Sequence, residues 1–345
     1  MLVLRRPFSL LMSLLPWWVA GTPVHAQDSA LHSPSLISFY FENDLFARTD
    51  KNYTNGVKLT WVSPDLPPPE DKSQPVNWAI WMMDHLPWID PEDALDRHVA
   101  FSFGQNIYTP QDIESTEVQT DDRPYAAWLY GSIGLHHRTE RWLDTFEMTF
   151  GVVGPLAMGE QTQNLVHRIK GAPRARGWDN QIDNEPGFNL VWERKWRHPL
   201  YGDPDRMSIE LFNHLGCSVG NVFTYANTGG GLRVGWNMTE DYGVAIIRPA
   251  GDASVPATRA DNERFSLYVF GSFDTRGVFR DITLDGNTFE ESHRANKEPV
   301  VTDFVGGVSM VYDQWKLSYT QIVRTSQFKE GGQHAFGSVN LSFTY

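Results

Sequence analysis

The chain ends G-S-V-N-L-S-F-T-Y, from Gly337 to Tyr345, and no other stretch restricts its fold as tightly. In an extended strand, successive side chains point to opposite faces. Val339, Leu341, Phe343 and Tyr345 therefore share one face, and Ser338, Asn340, Ser342 and Thr344 share the other. Such a strand either ends a soluble sandwich or barrel, with its polar face in water, or closes a membrane barrel, with its apolar face in lipid. Outer-membrane barrels habitually end on an aromatic residue of the apolar face. That outcome requires export.

The other end of the chain meets the requirement. Arg5 and Arg6 precede an apolar run from Phe8 to Ala20, and Val24-His25-Ala26 follows as a cleavage site of the A-x-A kind. This is the layout of a secretory signal peptide, with cleavage expected before Gln27. A first transmembrane helix is the competing reading, but it needs about 18 apolar residues. The run here is shorter and is interrupted by Pro16. Residues 1–26 are thus expected to be removed, and residues 27–345 to form a single barrel domain.

By hydropathy alone, with a mean of -0.38, the chain would pass for a soluble secreted protein. Its aromatic content argues otherwise. Aromatics make up 13% of residues and include 13 Trp, a supply suited to the interfacial girdles of a membrane barrel. Cys217 is the single cysteine, so no intramolecular disulfide forms. It sits in the alternating run Met207, Ile209, Leu211, Leu215, Cys217, Val219 and reads as a small apolar wall residue.

The same alternation recurs over 35–43, 53–63, 98–107, 125–138, 142–153, 187–198, 206–219, 223–237, 264–275, 300–312, 315–325 and 334–345. An all-β, antiparallel transmembrane barrel of about twelve strands is predicted, most of them longer than the ~9–11 residues a tilted strand needs to cross. No backbone group stays unpaired in hydrocarbon, so the set must close. An even count returns the C-terminus to the periplasmic side. Periplasmic turns then include 138–142, 199–205 and 313–314, with longer connections at 64–97 and 238–262. Within the former, Trp78 to Trp88 reads as a short interfacial helix. Segments 44–52, 108–124, 154–186, 220–222, 276–299 and 326–333 face outward, and they hold most of the unusual chemistry.

A net charge of -13 excludes a nucleic-acid partner, which needs a basic surface. Acidic outer loops beside anionic lipid fit either plain solubility or the holding of divalent cations. The segment F-E-N-D-L-F-A-R-T-D-K-N-Y-T-N-G gathers Glu42, Asn43, Asp44, Asp50 and Asn55 in one short loop. Oxygen donors of this kind suit Ca²⁺, although the EF-hand spacing is absent. A polar hairpin turning at Asn55-Gly56 is the alternative. It accommodates Asp44 less comfortably, since that charge directly follows a membrane strand.

Two further segments carry candidates. In D-D-R-P-Y-A-A-W-L-Y-G, Asp121 to Gly131, Arg123 suits bidentate contact with a phosphate, and Tyr125, Trp128 and Tyr130 suit an aromatic belt. The same string also reads as an ordinary loop-to-strand junction with a proline turn. Leu156 to Ile169 predicts a short helix in an outer loop, stopped by Gly171 and Pro173. Gln163 and His167, at i and i+4, share one of its faces. A lone helical histidine is more often structural, but histidine titrates near neutrality and is the usual general base.

Together these segments resemble the LpxR-type lipid A 3′-O-deacylases, outer-membrane enzymes of Gram-negative bacteria. The resemblance rests on E-N-D followed by Y-T-N-G, on D-R-P-Y-A-A-W-L-Y-G, and on Q-x-x-x-H with G-W-D-N-Q and N-E-P downstream. L-D-G-N-T-F, Leu284 to Phe289, extends it, so that it spans the mature chain. It implies a Ca²⁺-dependent site between the barrel wall and an outer-loop helix, facing the outer leaflet. The implied reaction is hydrolysis of the ester that holds the 3′-acyloxyacyl group of lipid A.

By motif, Asn43 and Asp44 match the family's Asn-Asp pair, and Thr54 its hydroxyl residue. Gln163 and His167 match its helix pair, with His167 as the base. A further acidic residue is expected soon after the histidine, yet Arg168 to Arg176 contains none. Asp179 and Glu185 are the next candidates, and Glu185 is grouped with Asn43 and Asp44 as a metal ligand. Arg123 and Tyr125 are the substrate-binding candidates. The implied partners are lipid A or lipopolysaccharide and outer-membrane lipids, and a monomer is expected.

In the chemistry this implies, His167 takes a proton from a water that attacks the ester carbonyl, and Ca²⁺ stabilises the oxyanion. A serine nucleophile is unnecessary, and no nucleophile elbow is expected. The rival readings are an outer-membrane phospholipase with a serine nucleophile and a non-catalytic, porin-like barrel.

Overall fold

The structure, a computed structural model, describes residues 34–47, 52–66, 77–86, 94–202, 206–239, 241–242, 247 and 265–345. The expected signal peptide over 1–26 and the candidate oxygen donor Asp50 lie outside the described residues.

Period-2 segments become strands wherever the sequence predicts them. They are β1 (Leu36–Asn43), β2 (Asn52–Val62), β3 (Asp96–Thr109), β4 (Ala126–Arg138), β5 (Trp142–Val153) and β6 (Glu185–Gly202). The second half comprises β7 (Met207–Gly220), β8 (Phe223–Trp236), β9 (Phe265–Asp281), β10 (Val300–Tyr312), β11 (Trp315–Arg324) and β12 (His334–Thr344). All twelve form one closed barrel in sequence order. Its seam joins β1 to β12, antiparallel, from Leu36↔Thr344 to Asn43↔Gly337. Closure pairs both edges and leaves no strand exposed to lipid with unmet hydrogen bonds.

Side-chain parity decides which face meets which solvent. Ile37, Phe39, Leu59, Phe101, Phe103, Val269, Phe304 and Leu341 point outward and are exposed. Ser38, Thr60, His98, Asn106, Ser132, Asp303 and Asn340 point inward and are buried. A soluble barrel has the opposite arrangement, so the apolar outer face is a lipid face. The terminal strand follows the same rule, and Cys217 lies outward in the wall as a free thiol. Aromatic pairs at the rim that carries the C-terminus include Trp61–Phe101 at 5.9 Å, Trp315–Phe343 at 4.6 Å and Phe343–Tyr345 at 5.8 Å between centroids.

Helix α1 (Asn77–Asp84) lies where a short helix is expected, while the expected end at Trp88 falls outside the described residues. Ala79, Ile80 and Met83 pack on Val99 and Leu135 of the wall, while Trp78 and Trp81 stay exposed. This arrangement suits a helix lying at the headgroup level.

Paired charges fill the lumen. Asp303 accepts from Arg276 at 2.8 Å and Arg324 at 2.7 Å. Asp274 bonds His214 at 2.8 Å and Asn227 at 3.0 Å. Nearer the periplasmic end, Arg233 bonds Glu210 and Asp241, and Lys316 also meets Asp241. Asp241 belongs to the β8–β9 connection. In the same connection, the Ile247 N–H donates to Glu42 at 2.6 Å, and the Ile247 side chain packs against Tyr40. The connection expected as a long periplasmic turn therefore reaches the outer end of β1 from inside the barrel.

Candidate functional site

The outer rim of β1 and β2 carries an irregularity with chemical consequences. Register between β2 and β3 slips at Tyr53/Asn55, the mark of a β-bulge. Tyr53 faces the lumen, its ring tilted against Tyr108 and edge-on to Phe336. The extra residue, Thr54, bonds Thr109 Oγ1 at 2.7 Å on the outer side of the wall. Asn55, paired with Asn43 across β1–β2, also faces outward. The bulge thus places consecutive polar side chains on what is otherwise the lipid face.

A helix covers this patch. Residues Pro155–Ala157 form a 3₁₀ turn, Met158 adopts a left-handed conformation (φ 56°), and α2 follows over Gly159–Lys170. Gly171 ends the helix at φ 71°, with its N–H on the His167 carbonyl, as the Gly171-Pro173 stop signal predicts. The helix begins later than the Leu156 start expected from sequence, because the left-handed Met158 separates it from the 3₁₀ turn. Gly159 is where the helix meets the wall. A Cβ there would lie 2.5 Å from the Trp178 ring and 2.6 Å from the Ala127 Cβ. Trp178, in the 3₁₀ turn Gly177–Asn180, packs with Ile107, Ala127 and Tyr125 and donates from Nε1 to Gln163 Oε1 at 2.8 Å.

Between α2 and the wall lies a cleft lined by Asn43, Asp44, Thr54, Asn55, Gln163, Val166, His167, Lys170 and Ala172. Its empty space, the open solvent at its mouth included, is about 320 Å³. The site residues predicted at Asn43, Asp44, Thr54, Gln163 and His167 all converge here. Each is buried, although three different segments supply them.

Hydrogen bonds orient the lining groups. His167 Nδ1 lies 2.5 Å from the Pro173 carbonyl oxygen, which only accepts. The ring proton is therefore on Nδ1, and Nε2 is the basic nitrogen of the neutral ring. Asn43 Nδ2 donates to the Thr54 carbonyl at 3.0 Å, which turns Asn43 Oδ1 toward Lys170 Nζ at 3.5 Å. Trp178 holds the Gln163 oxygen, leaving Gln163 Nε2 a buried donor without a hydrogen-bond partner. Asn55 Oδ1 is a buried acceptor in the same condition. An oriented imidazole, unspent amide groups and a carboxylate thus share one cleft. Just outside it, Leu156, Met158, Leu165 and Ile169 are exposed on the same outer loop.

Other candidates lie elsewhere. Glu185 is not in the cleft. Its carboxylate accepts from Asn221 Nδ2 at 2.7 Å, from the Thr288 N–H at 2.6 Å and from Asn287 Nδ2 at 3.4 Å. Asn287 and Asp183 also exchange bonds at 2.9 Å, so N-E-P and L-D-G-N-T-F clasp one another as an outer-loop brace. Arg123 is fully buried, bonded to Thr283 at 2.6 Å and Gln327 at 3.2 Å, with Tyr108 under its guanidinium. Tyr125 donates to the Ile113 carbonyl at 3.2 Å and packs on Trp178. Both tie loops together, and neither lines the cleft. Asp179 is exposed on the 3₁₀ turn. Lys170, which sequence reasoning missed, does line it. Its spacing from His167 (i+3) and Gln163 (i+7) was the available signal.

Contrary to expectation, a G-x-S-x-G string exists, from Gly216 to Gly220. It lies inside β7 and not at a strand-to-helix turn, and Ser218 is buried with its hydroxyl donating to the Phe223 carbonyl at 2.9 Å. It is a wall segment, not a nucleophile elbow.

The cleft does not fit the calcium that the resemblance implies. Ca²⁺ takes about 6–8 oxygen ligands, and affinity follows their charge count. Among the described residues, the cleft is lined by one carboxylate, Asp44, and the Lys170 ammonium lies at the Asn43 amide oxygen. Among the described residues, no group of three or more His, Cys, Asp or Glu converges as a metal site.

The family model for outer membrane protein LpxR matches residues 10–345. Among solved structures, LpxR from Salmonella typhimurium superposes with a TM-score of 0.71 at 19% identity, over 90% of this chain and 100% of that one. The translocator domain of the autotransporter NalP from Neisseria meningitidis gives a TM-score of 0.36 at 9% identity, covering 92% of this chain and 90% of that one. No curated protein sequence matches the chain.

Proposed function

This chain belongs to the LpxR family of outer-membrane proteins, and from that premise we propose that it is a lipid A deacylase acting through His167. The observation that carries the reading is the carbonyl-oriented imidazole of His167, set with Gln163, Asn43 and Thr54 in an outward-facing cleft at the rim of the wall. A base placed there serves a substrate held in the outer leaflet, and lipid A is such a substrate.

Water bound in the cleft gives a proton to His167 Nε2 as its oxygen attacks the ester carbonyl carbon. The carbonyl π pair moves onto oxygen, where Gln163 Nε2, the buried donor held by Trp178, donates to it. Collapse re-forms the carbonyl and expels the sugar oxygen, which takes the proton back from His167. The products are the free acyloxyacyl acid and a 3′-hydroxyl. Pro173 steadies the transient imidazolium by accepting from Nδ1, the orienting task of a third group.

The rival readings have less support. Among the described residues, Thr54 is the sole hydroxyl residue lining the cleft, and it is bonded to Thr109. None of those lining residues is a serine that could act as a phospholipase nucleophile. A porin requires an open lumen, whereas this one is crossed by ion pairs. One chain supplies every lining residue, so a monomer suffices. Mass spectrometry of lipid A from cells with and without the protein tests the proposal. Loss of one acyloxyacyl unit supports it, and unchanged lipid A overturns it.

A further inference from the structure

We infer that Lys170 supplies the positive charge that stabilises the oxyanion, so that this chain hydrolyses its ester without calcium. The inference rests on the deacylase reading above. Lys170 projects from the face of α2 that carries Gln163 and His167, and it lines their cleft. Its ammonium stands 3.5 Å from Asn43 Oδ1, an oxygen turned toward it by the Asn43–Thr54 bond. The Asn55 Oδ1, buried and without a partner, adds to the demand for a cation in this cleft.

That demand is already met from within. Asp44 and Lys170 bring one negative and one positive charge to the cleft. Among the described residues, a divalent ion would have a single carboxylate to hold it and an ammonium to repel it. The segment Arg168 to Arg176, where a second acid is expected, holds only basic and neutral residues. Glu185 spends its carboxylate on the outer-loop brace.

The step balances with the chain's own groups. The water proton goes to His167 Nε2, the carbonyl pair to oxygen, and the negative charge on that oxygen meets the Lys170 ammonium and the Gln163 amide. No electron or proton leaves the site unaccounted for. An ammonium performs the electrostatic task of a Lewis acid here, as fixed cations do at other developing oxyanions.

The test uses the full mature protein in detergent micelles with purified lipid A. Wild type in EGTA should keep its deacylation rate, and added Ca²⁺ should change it less than about twofold. Lys170→Met should lose about 10²–10³-fold, the usual cost of one oxyanion partner, without rescue by Ca²⁺. Lys170→Glu supplies a second carboxylate and should gain tryptophan-sensitised terbium luminescence that calcium competes away. Wild type should show no such signal. Wild-type activity lost in EGTA and restored by Ca²⁺ overturns the inference and leaves the deacylase reading standing. A wild-type terbium signal competed by micromolar Ca²⁺ overturns it independently of turnover, and also if Lys170→Glu fails to fold. No deacylation under any condition removes the deacylase reading itself.

Discussion

His167 commits its Nδ1 proton to the Pro173 carbonyl, which leaves Nε2 to act. His167→Ala should lower ester hydrolysis by about 10²–10⁴-fold, the usual cost of a general base. It belongs to an outer-loop helix, so the barrel should stay intact. His214→Ala is the matched control. That ring bonds Asp274 inside the lumen, far from the cleft in chemistry, and Asn227 still serves the carboxylate after its removal. Molecules of that variant that run as folded barrels should turn over near the wild-type rate. Gln163→Ala should cost about 10²–10³-fold in deacylation rate. Trp178→Phe keeps the packing but frees the amide, and its loss should be smaller than that of Gln163→Ala. The pair Gln163 and His167 was legible because i, i+4 spacing is a property of any helix. Lys170 shares that face and was equally legible. That Arg123 and Tyr125 bond to loop residues and do not line the cleft was not legible, because a loop-to-strand junction has no period from which to count faces.

Strand existence and order were visible throughout, since alternation survives even in short segments between lipid and a polar lumen. The bulge at Thr54 was not visible. An inserted residue breaks the two-residue count, and only pairing with β3 reveals it. Its effect is to bring Thr54 and Asn55 to one side, beneath α2. How α2 is seated is a matter of one hydrogen atom, because a Cβ on Gly159 would collide with both Trp178 and Ala127. Gly159→Ala should lift the N-terminal end of the helix from the wall. A displacement near 1 Å typically costs about 10²-fold in rate, so turnover should fall by that order while the gel shift between heated and unheated protein remains. If this variant turns over normally, the helix is not the roof of the site.

Arg233 sits at the centre of the lumen's periplasmic network, fully buried between Glu210 and Asp241. Removing one member of a buried ion pair costs about 3–5 kcal/mol when the partner is stranded. Here Arg197 and Lys316 still serve those carboxylates, so Arg233→Ala should fall at or below the lower end. The measurement is a lower temperature for the heat-induced gel shift, with deacylation at moderate temperature retained. The same ion pairs predict no steady conductance when the protein is inserted in a planar bilayer. Single-channel steps of porin size would contradict the filled lumen. The setting of the cleft on the wall's outer face has a kinetic corollary for the proposed deacylase. A barrel that works on its outer wall meets its substrate by lateral diffusion in two dimensions. Its rate should follow the mole fraction of lipid A in a mixed micelle, and litres of buffer should be irrelevant. Adding inert detergent at fixed total lipid A will slow it, whereas diluting the whole sample above the critical micelle concentration will not.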